Sequence, residues 1–293
     1  MASSEIWVAG EALIDLVPEG NSLTPVVGGG PANTAKALYR LGYKSSFIGG
    51  ISSDQYGSMI RAELAGVDLK FALRSNLPTA LAIVSLDESG SASYEFKLEN
   101  TATFDFRKEW LPSGPSELLH IGTLATVIEP GCSALFEWAS QLECPIIFDP
   151  NIRPSVMSDK AKYQEIFERW AEISDVVKMS HEDLSWLGFT DVEYILDFGP
   201  ELVVVTHGAD GIMGHTASGS VSVPGVRVDV VDTVGAGDTV GAVVVEGFLN
   251  YGIDSLTGEN LFEVLTRAAR AAAITCSRVG ANPPTLAELE KLG

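Results

Sequence analysis

The chain has 293 residues, long enough to bury a large core as one large α/β domain or two smaller ones. Its formal net charge of −20 argues against nucleic acid or an anionic membrane as partner, yet an anionic nucleotide needs only a local cationic or N–H-lined site. Cys132, Cys144 and Cys276 show no paired spacing, which points to reduced thiols in a cytoplasmic protein; the first residues carry no basic leader, and no apolar run approaches the ~20 residues of a membrane span.

In chain order, short apolar runs alternate with longer periodic ones. Ile6–Ala9 predicts a strand, and the loop Gly10-Glu11-Ala12-Leu13-Ile14-Asp15 follows it. Residues 16–27 lack helical period and read as β-rich. Gly28-Gly29-Gly30-Pro31 then opens a helix over Ala32–Leu41, where a proline in the first turn loses no needed N–H. A strand over Phe47–Ile51 and a helix over Ser58–Ala65 come next. Residues 71–105 break the rhythm again. Two strand-like runs there, Ala80–Asp87 and Ala92–Lys97, flank Glu88-Ser-Gly90-Ser and predict a hairpin, hence an antiparallel insertion.

Further strands are expected at Leu118–Ile121, Ile146–Phe148, Val176–Met179 and Leu202–Val205, and helices at Ser133–Leu142, Lys160–Glu172, Thr239–Asn250 and Leu261–Ser277. In Lys160–Glu172, the residues Tyr163, Ile166, Phe167, Trp170 and Ala171 fall on one apolar stripe of core character. Strand–helix alternation predicts an α/β fold, a mostly parallel sheet covered on both faces in three layers. No repeat, linker or low-complexity tract divides the chain, so residues 1–293 read as one domain.

Residues 232–238 read Asp-Thr-Val-Gly-Ala-Gly-Asp and run directly into an apolar helix. The first turn of a helix has N–H groups with no internal acceptor, so Gly235, Ala236 and Gly237 would aim theirs at an anion, which the helix dipole also favours. Asp238 beside that pocket could take a proton from an attacking hydroxyl. An anion hole with an adjacent base equips a protein for phosphoryl transfer to an alcohol. Read alone, the same stretch is an ordinary glycine turn capping a helix. Its spacing does not fit a dinucleotide fingerprint, and no Gly-x-x-x-x-Gly-Lys-Ser/Thr occurs, which excludes a P-loop.

Asp232-Thr-x-Gly-Ala-Gly-Asp238 resembles the C-terminal signature of the ribokinase-like (PfkB) sugar kinases. Gly28-Gly29-Gly30-Pro31-Ala32-Asn33 resembles their N-terminal Gly-Gly-x-x-x-Asn signature, and the order and separation of the two also match. The resemblance covers essentially the whole chain. It implies a ribokinase-like α/β/α fold whose insertions around 16–27 and 71–105 form a small β lid over the sugar, with a homodimer contact through the lid. On the sugar side it implies Asp15 as acceptor for substrate hydroxyls, with Gly29, Gly30 and Asn33; taken by itself, Asp15 is equally a solvated loop acid. Asp149-Pro150-Asn151-Ile152-Arg153 resembles a fructokinase-like loop that places Arg153 near the substrate and the transferred phosphate, where it could neutralise moving charge.

On the nucleotide side, Thr206-His-Gly208-Ala-Asp-Gly211 resembles the loop that borders ATP in the family, and Asn151 and Ser180 are implied beside it. Small residues across Ala268–Thr275 would leave room for adenine, although helix packing explains them equally well. Ser180-His-Glu182-Asp183 stands where many members carry Asn-x-x-Glu for magnesium-bound water, which puts Asp183 at the glutamate position. Asp232, with the Ser277–Asn282 loop, is implied as a potassium site. In the lid, Leu98 stands where 2-keto-3-deoxygluconate kinases tend to carry arginine. The expectation is therefore an ATP- and Mg2+-dependent cytoplasmic kinase acting on D-fructose to give fructose 6-phosphate. A 2-keto-3-deoxygluconate kinase and a catalytically impaired sugar-binding protein stay open as alternatives.

Overall fold

The alternation read from the sequence resolves, in the computed structural model, into one large sheet between two helical layers. The structure describes residues 5–20, 22–86 and 92–291. The large sheet has eight strands. In spatial order they are Gly219–Val223, Ile212–Thr216, Leu202–Thr206, Val176–Ser180, Ile146–Asp149, Leu118–Gly122, Ile6–Ala9 and Ser45–Ile48. From Leu202–Thr206 to Ser45–Ile48 all neighbours run parallel, and Ile212–Thr216 with Gly219–Val223 forms an antiparallel edge. A parallel sheet buried on both faces needs strands that are apolar throughout, and Ile6-Trp-Val-Ala9 is buried at every position.

Alternate residues of each strand serve opposite layers. Ile6 and Val8 pack with the helices Gly30–Arg40, Ala236–Tyr251 and Gly258–Cys276, whereas Trp7 and Ala9 pack with Gly131–Ala139 and Lys160–Glu172. The stripe on Lys160–Glu172 lies where its period placed it: Tyr163, Phe167, Trp170 and Ala171 are buried and Ile166 is half-buried against them. Trp170 stacks on Phe148, ring centroids 5.8 Å apart, and donates its indole N–H to the Thr126 carbonyl at 3.3 Å. The helix Ala236–Tyr251 is buried almost all round, and Gly247 lets Val264 of Gly258–Cys276 approach closely. No helix among the described residues is long and apolar enough to cross a membrane.

A second, four-stranded sheet has the order Ser22–Gly28, Leu13–Glu19, Leu81–Leu86, Ala92–Lys97. The expected pairing of the last two is antiparallel as read, with Leu81 opposite Lys97; the Glu88–Ser91 turn lies outside the described residues. The insertion is mixed rather than antiparallel throughout, because Leu13–Glu19 joins Leu81–Leu86 in parallel. Two hairpins from distant segments meet there, so nothing in either turn dictates the direction of the central pair.

Other differences have local causes. The run Phe47–Ile51 divides at Gly49 into Ser45–Ile48, in the large sheet, and Gly50–Ser52, which pairs with Leu73–Ser75. A β-carbon at Gly49 would lie 2.5 Å from the Gly10 carbonyl, so the chain turns where no side chain is present. The strands Ile212–Thr216 and Gly219–Val223 contain glycine and serine and give no apolar run to read.

Trp170 is 2 % exposed. Trp170→Ala should lower the unfolding free energy by roughly 3–5 kcal/mol with an unchanged urea m-value, and a loss below about 1 kcal/mol would contradict this packing.

Candidate active site

The loops beyond the carboxyl ends of the parallel strands meet at one end of the large sheet, where open α/β sheets bind ligands. Gly10 and Glu11 follow Ile6–Ala9, Thr123 follows Leu118–Gly122, and Asn151 and Arg153 follow Ile146–Asp149. Ser180 and Thr206 close the next two strands, opposite one another in register. Two of these loops hold residues in left-handed backbone conformations that side chains seldom adopt: Thr123 at φ 56° and Asn151 at φ 38°. Strain in a β-branched residue and in its neighbour across the cleft marks a place where local comfort yields to something else.

Asp238 lies at the centre, 7 % exposed, in the first turn of Ala236–Tyr251. Asn33, from the helix Gly30–Arg40, donates from Nδ2 to its Oδ2 at 2.8 Å. A β-carbon on Gly30 would come within 3.1 Å of Asp238 Oδ1, 3.3 Å of Asn151 Nδ2 and 3.0 Å of the Thr123 methyl, so the glycine leaves open a space that all three border. Gly29, at φ 111°, presses against the Glu11 carbonyl. Asp15 reaches the same cleft from the small sheet, seated over Gly28.

The electrostatics join these residues. Burial pushes the Asp238 carboxyl up to about 6, and Lys178, the Asn33 hydrogen bond and Arg153 work against that rise. Burial likewise pushes Asp15 up to about 6, and the opposing charge is again Arg153. Arg153 therefore faces both acids. Its own guanidinium donates to the carbonyls of Asn151 at 3.1 Å and Ile152 at 3.0 Å, which fixes it against its own loop.

The anion hole differs in one detail from the sequence expectation. Gly235 caps the helix at φ 79° and closes a turn in which Ala236 N–H donates to the Thr233 carbonyl at 3.3 Å. Gly235, Gly237 and Asp238 keep N–H groups without an acceptor among the described residues. The left-handed cap brings the Thr233 carbonyl round to Ala236, so the free donors are these three rather than Gly235, Ala236 and Gly237.

The remaining expected residues form a second group along the same rim. Ser180 caps the helix His181–Leu187 in a capping box with Asp183. Both carboxylate oxygens of Asp183 accept backbone N–H bonds, from Ile152 at 2.8 Å and Ser180 at 3.0 Å, which ties the Asn151–Arg153 loop to that helix. Thr206 leads into the tight turn Gly208–Asp210, and Gly211 at φ 121° lets the chain pass against Val223. Asp232 accepts from Val234 N–H at 3.0 Å and Gly280 N–H at 2.8 Å, joining the loop before Asp238 to the loop after Gly258–Cys276. Ala268, Ala269, Ala271 and Ala273 are buried, so packing accounts for them.

Comparison with known proteins bears on the chain as a whole. The model of the pfkB family carbohydrate kinases matches residues 4–288. The chain belongs to that family. It is 38% identical to a fructokinase of Rhizobium leguminosarum bv. trifolii over 254 residues, 81% of this chain and 77% of that one. A crystal structure of a Xylella fastidiosa fructokinase with bound ATP superposes with a TM-score of 0.89 at 28% identity, covering 98% of this chain and 97% of that one. A double mutant of Vibrio cholerae O395 fructokinase, bound to fructose, ADP and potassium ion, superposes with a TM-score of 0.82 at 30% identity, covering 98% and 95%.

Several residues of this carbohydrate kinase site were not singled out by sequence reasoning. Glu11 is buried, accepts from Ala125 N–H at 3.1 Å, and is pushed up to about 7 by burial. Lys178 and Asp149 form a buried ion pair beneath the cleft, Nζ to Oδ2 2.8 Å. A lone lysine inside Val176-Val-Lys-Met-Ser180 was the available signal, since an apolar strand does not bury a cation without a partner.

Because Asp238 and Asp15 are charged only above about pH 6, the sugar-dependent rate should fall at least tenfold per unit as pH drops below that value. A rate that stays flat from pH ~8 down to ~5 would contradict this assignment of the two acids.

Proposed function

We propose that this kinase transfers the γ-phosphoryl group of ATP to a primary hydroxyl of D-fructose, giving fructose 6-phosphate. The observation that carries the reading is the Asp238 carboxylate, buried at a helix N-terminus among unpaired amides and held by Asn33 at 2.8 Å. Asp238 takes the proton of the attacking hydroxyl. The Gly235 and Gly237 N–H groups receive the charge of the moving phosphoryl group, with Arg153 facing it. Asp15, Gly29, Gly30 and Asn33 border the sugar, and Thr206, Gly208, Gly211, Ser180 and Asn151 the nucleotide. Positioning supplies most of the acceleration, as phosphoryl transfer requires little covalent help.

Fructose is favoured by two lines of support. The fructokinase relatives share the whole architecture, and the Vibrio protein binds fructose. Just past the small sheet, the position that would carry an arginine for a sugar acid is Leu98, which is buried in the core. The small sheet acts as a lid that excludes water and so suppresses ATP hydrolysis. Exposed Val17 and Val26, on the Asp15 face of that sheet, support a homodimer formed through it.

Magnesium enters with ATP and neutralises phosphate charge. Both oxygens of Asp183 already accept backbone N–H groups, so Asp183 would hold magnesium through a water molecule, and the ion would supply charge neutralisation at the phosphates. A potassium ion beside Asp232 would stiffen the loop before Gly235, and the Vibrio protein is bound to potassium ion.

ADP release with Mg2+ and ATP, across fructose, 2-keto-3-deoxygluconate, ribose, glucose and adenosine, tests the reading. Fructose should be preferred, and Asp238→Asn should lose about 10²–10⁴ in rate while fructose affinity by calorimetry stays within about threefold. Equal rates from wild type and variant would overturn the role of Asp238, and preference for another substrate would overturn the fructose assignment.

A further inference from the structure

The buried ion pair beneath the cleft has no part in the scheme above. Lys178 and Asp149 lie side by side on neighbouring strands, with side chains only 5 % and 4 % exposed. A buried ion pair is a poor source of stability, because desolvation of two charges offsets most of their attraction. Two apolar residues would serve these two strands, otherwise Ile146-Ile-Phe148 and Val176-Val177 with Met179, equally well. The position of the pair therefore needs another explanation. A β-carbon built on Gly237 would lie 3.1 Å from Lys178 Nζ, so the ammonium sits directly under a residue whose N–H is one of the unpaired donors. Asp149 Oδ2 holds the lysine there at 2.8 Å, and its Oδ1 has no partner among the described residues. Burial disfavours the lysine's charge, but Asp149, Asp238 and Asp183 together keep it above its ordinary value. His120, on the adjacent strand, is fully buried and pushed down to about 3 by burial and by Lys178, so it stays neutral.

We propose that Lys178, pinned by Asp149, is a positioning residue for phosphoryl transfer, its ammonium holding from beneath the negative charge that gathers at Asp238 and at the Gly235–Asp238 turn. It acts through that turn and does not touch the sugar. Glycine at 237 lets the ammonium stand this close, since a β-carbon there would require it to give by a few tenths of an ångström. The proposal rests on Asp238 serving as the base. The groups facing Asp238 are Lys178 and Asp149 from the sheet, Asn33 from the helix Gly30–Arg40 and Arg153 from the rim. Lys178 is the largest of the influences that oppose burial at Asp238. Without the ammonium, Asp238 binds its proton more tightly. The deprotonated base is then lost at a higher pH, and the acid limb of the rate profile moves upward.

The test compares Lys178→Met and Lys178→Arg with wild type in fructose-dependent ADP release from pH ~5.5 to ~9. Lys178→Met should raise the acid limb by about one pH unit and cost on the order of tenfold more rate near pH ~6 than near pH ~8.5, with KM for fructose changed less than about threefold. Lys178→Arg, which keeps the charge, should leave the limb near its wild-type position. A Lys178→Met enzyme whose limb does not move would overturn the proposal, since a purely structural lysine lowers the rate equally at every pH. Should that variant fail to fold, Lys178→Met with Asp149→Asn removes the orphaned acid as well. Its limb should rise by less than that of Lys178→Met, because Asp149 raises the Asp238 carboxyl where Lys178 lowers it, and a limb displaced to lower pH would overturn the proposal. Asp238→Asn in the same assay separates the two claims. If it keeps activity, the base itself is wrongly assigned; if it loses activity while the Lys178→Met limb stays put, only the positioning role falls.

Discussion

A buried carboxylate, the base of the proposed reaction, organises this molecule. Asp238 is enclosed by protein, and removing an acid from water pushes its proton affinity up, in this cleft to about 6. Left to burial alone it would drift toward the neutral form and lose its use as a base. The structure answers with partners from three directions: the Asn33 amide from one helix, the Arg153 guanidinium from the rim and the Lys178 ammonium from the sheet below. Each lies on a different element, so the whole α/β/α assembly must be in place before the acid reaches its working state.

That requirement explains where the glycines fall. Gly30 leaves open the space bordered by Asp238, Asn151 and Thr123; Gly237 lets Lys178 approach; Gly235 turns the chain into the helix with a left-handed backbone. The same economy holds for the loops. Asp183 and Asp232 each use both carboxylate oxygens on backbone amides, so their first task is to hold the Asn151–Arg153 loop and the loop before Gly235 in position. Phosphoryl transfer draws on that rigidity, because its acceleration comes mainly from groups already held where charge will develop.

Much of this was legible in the sequence. The long helices and parallel strands declared themselves by period, and Lys160–Glu172 ends where the pattern ended. The proposed transfer centre stood out through the pairing of Asp232–Asp238 with the upstream Gly28–Asn33 run, since either stretch alone reads as a glycine turn capping a helix. What stayed hidden depends on long-range juxtaposition. Local pattern does not tell that Leu13–Glu19 will pair in parallel with Leu81–Leu86, nor that the Thr233 carbonyl will take the Ala236 N–H. Lys178 was visible as an anomaly, a cation in an apolar strand, but its meaning required knowing that Asp149 lies on the neighbouring strand and Gly237 above it.

The central claim is that Asp238 acts as a base on the sugar hydroxyl and is never itself phosphorylated. The stereochemical course at phosphorus tests it most directly, using ATP made chiral at the γ-phosphorus with oxygen isotopes and fructose as acceptor. In-line transfer between two bound substrates predicts inversion of configuration in the sugar phosphate. Retention would mean two displacements through a phosphorylated side chain, and would contradict Asp238 as the base and the cleft around it as a site of direct transfer.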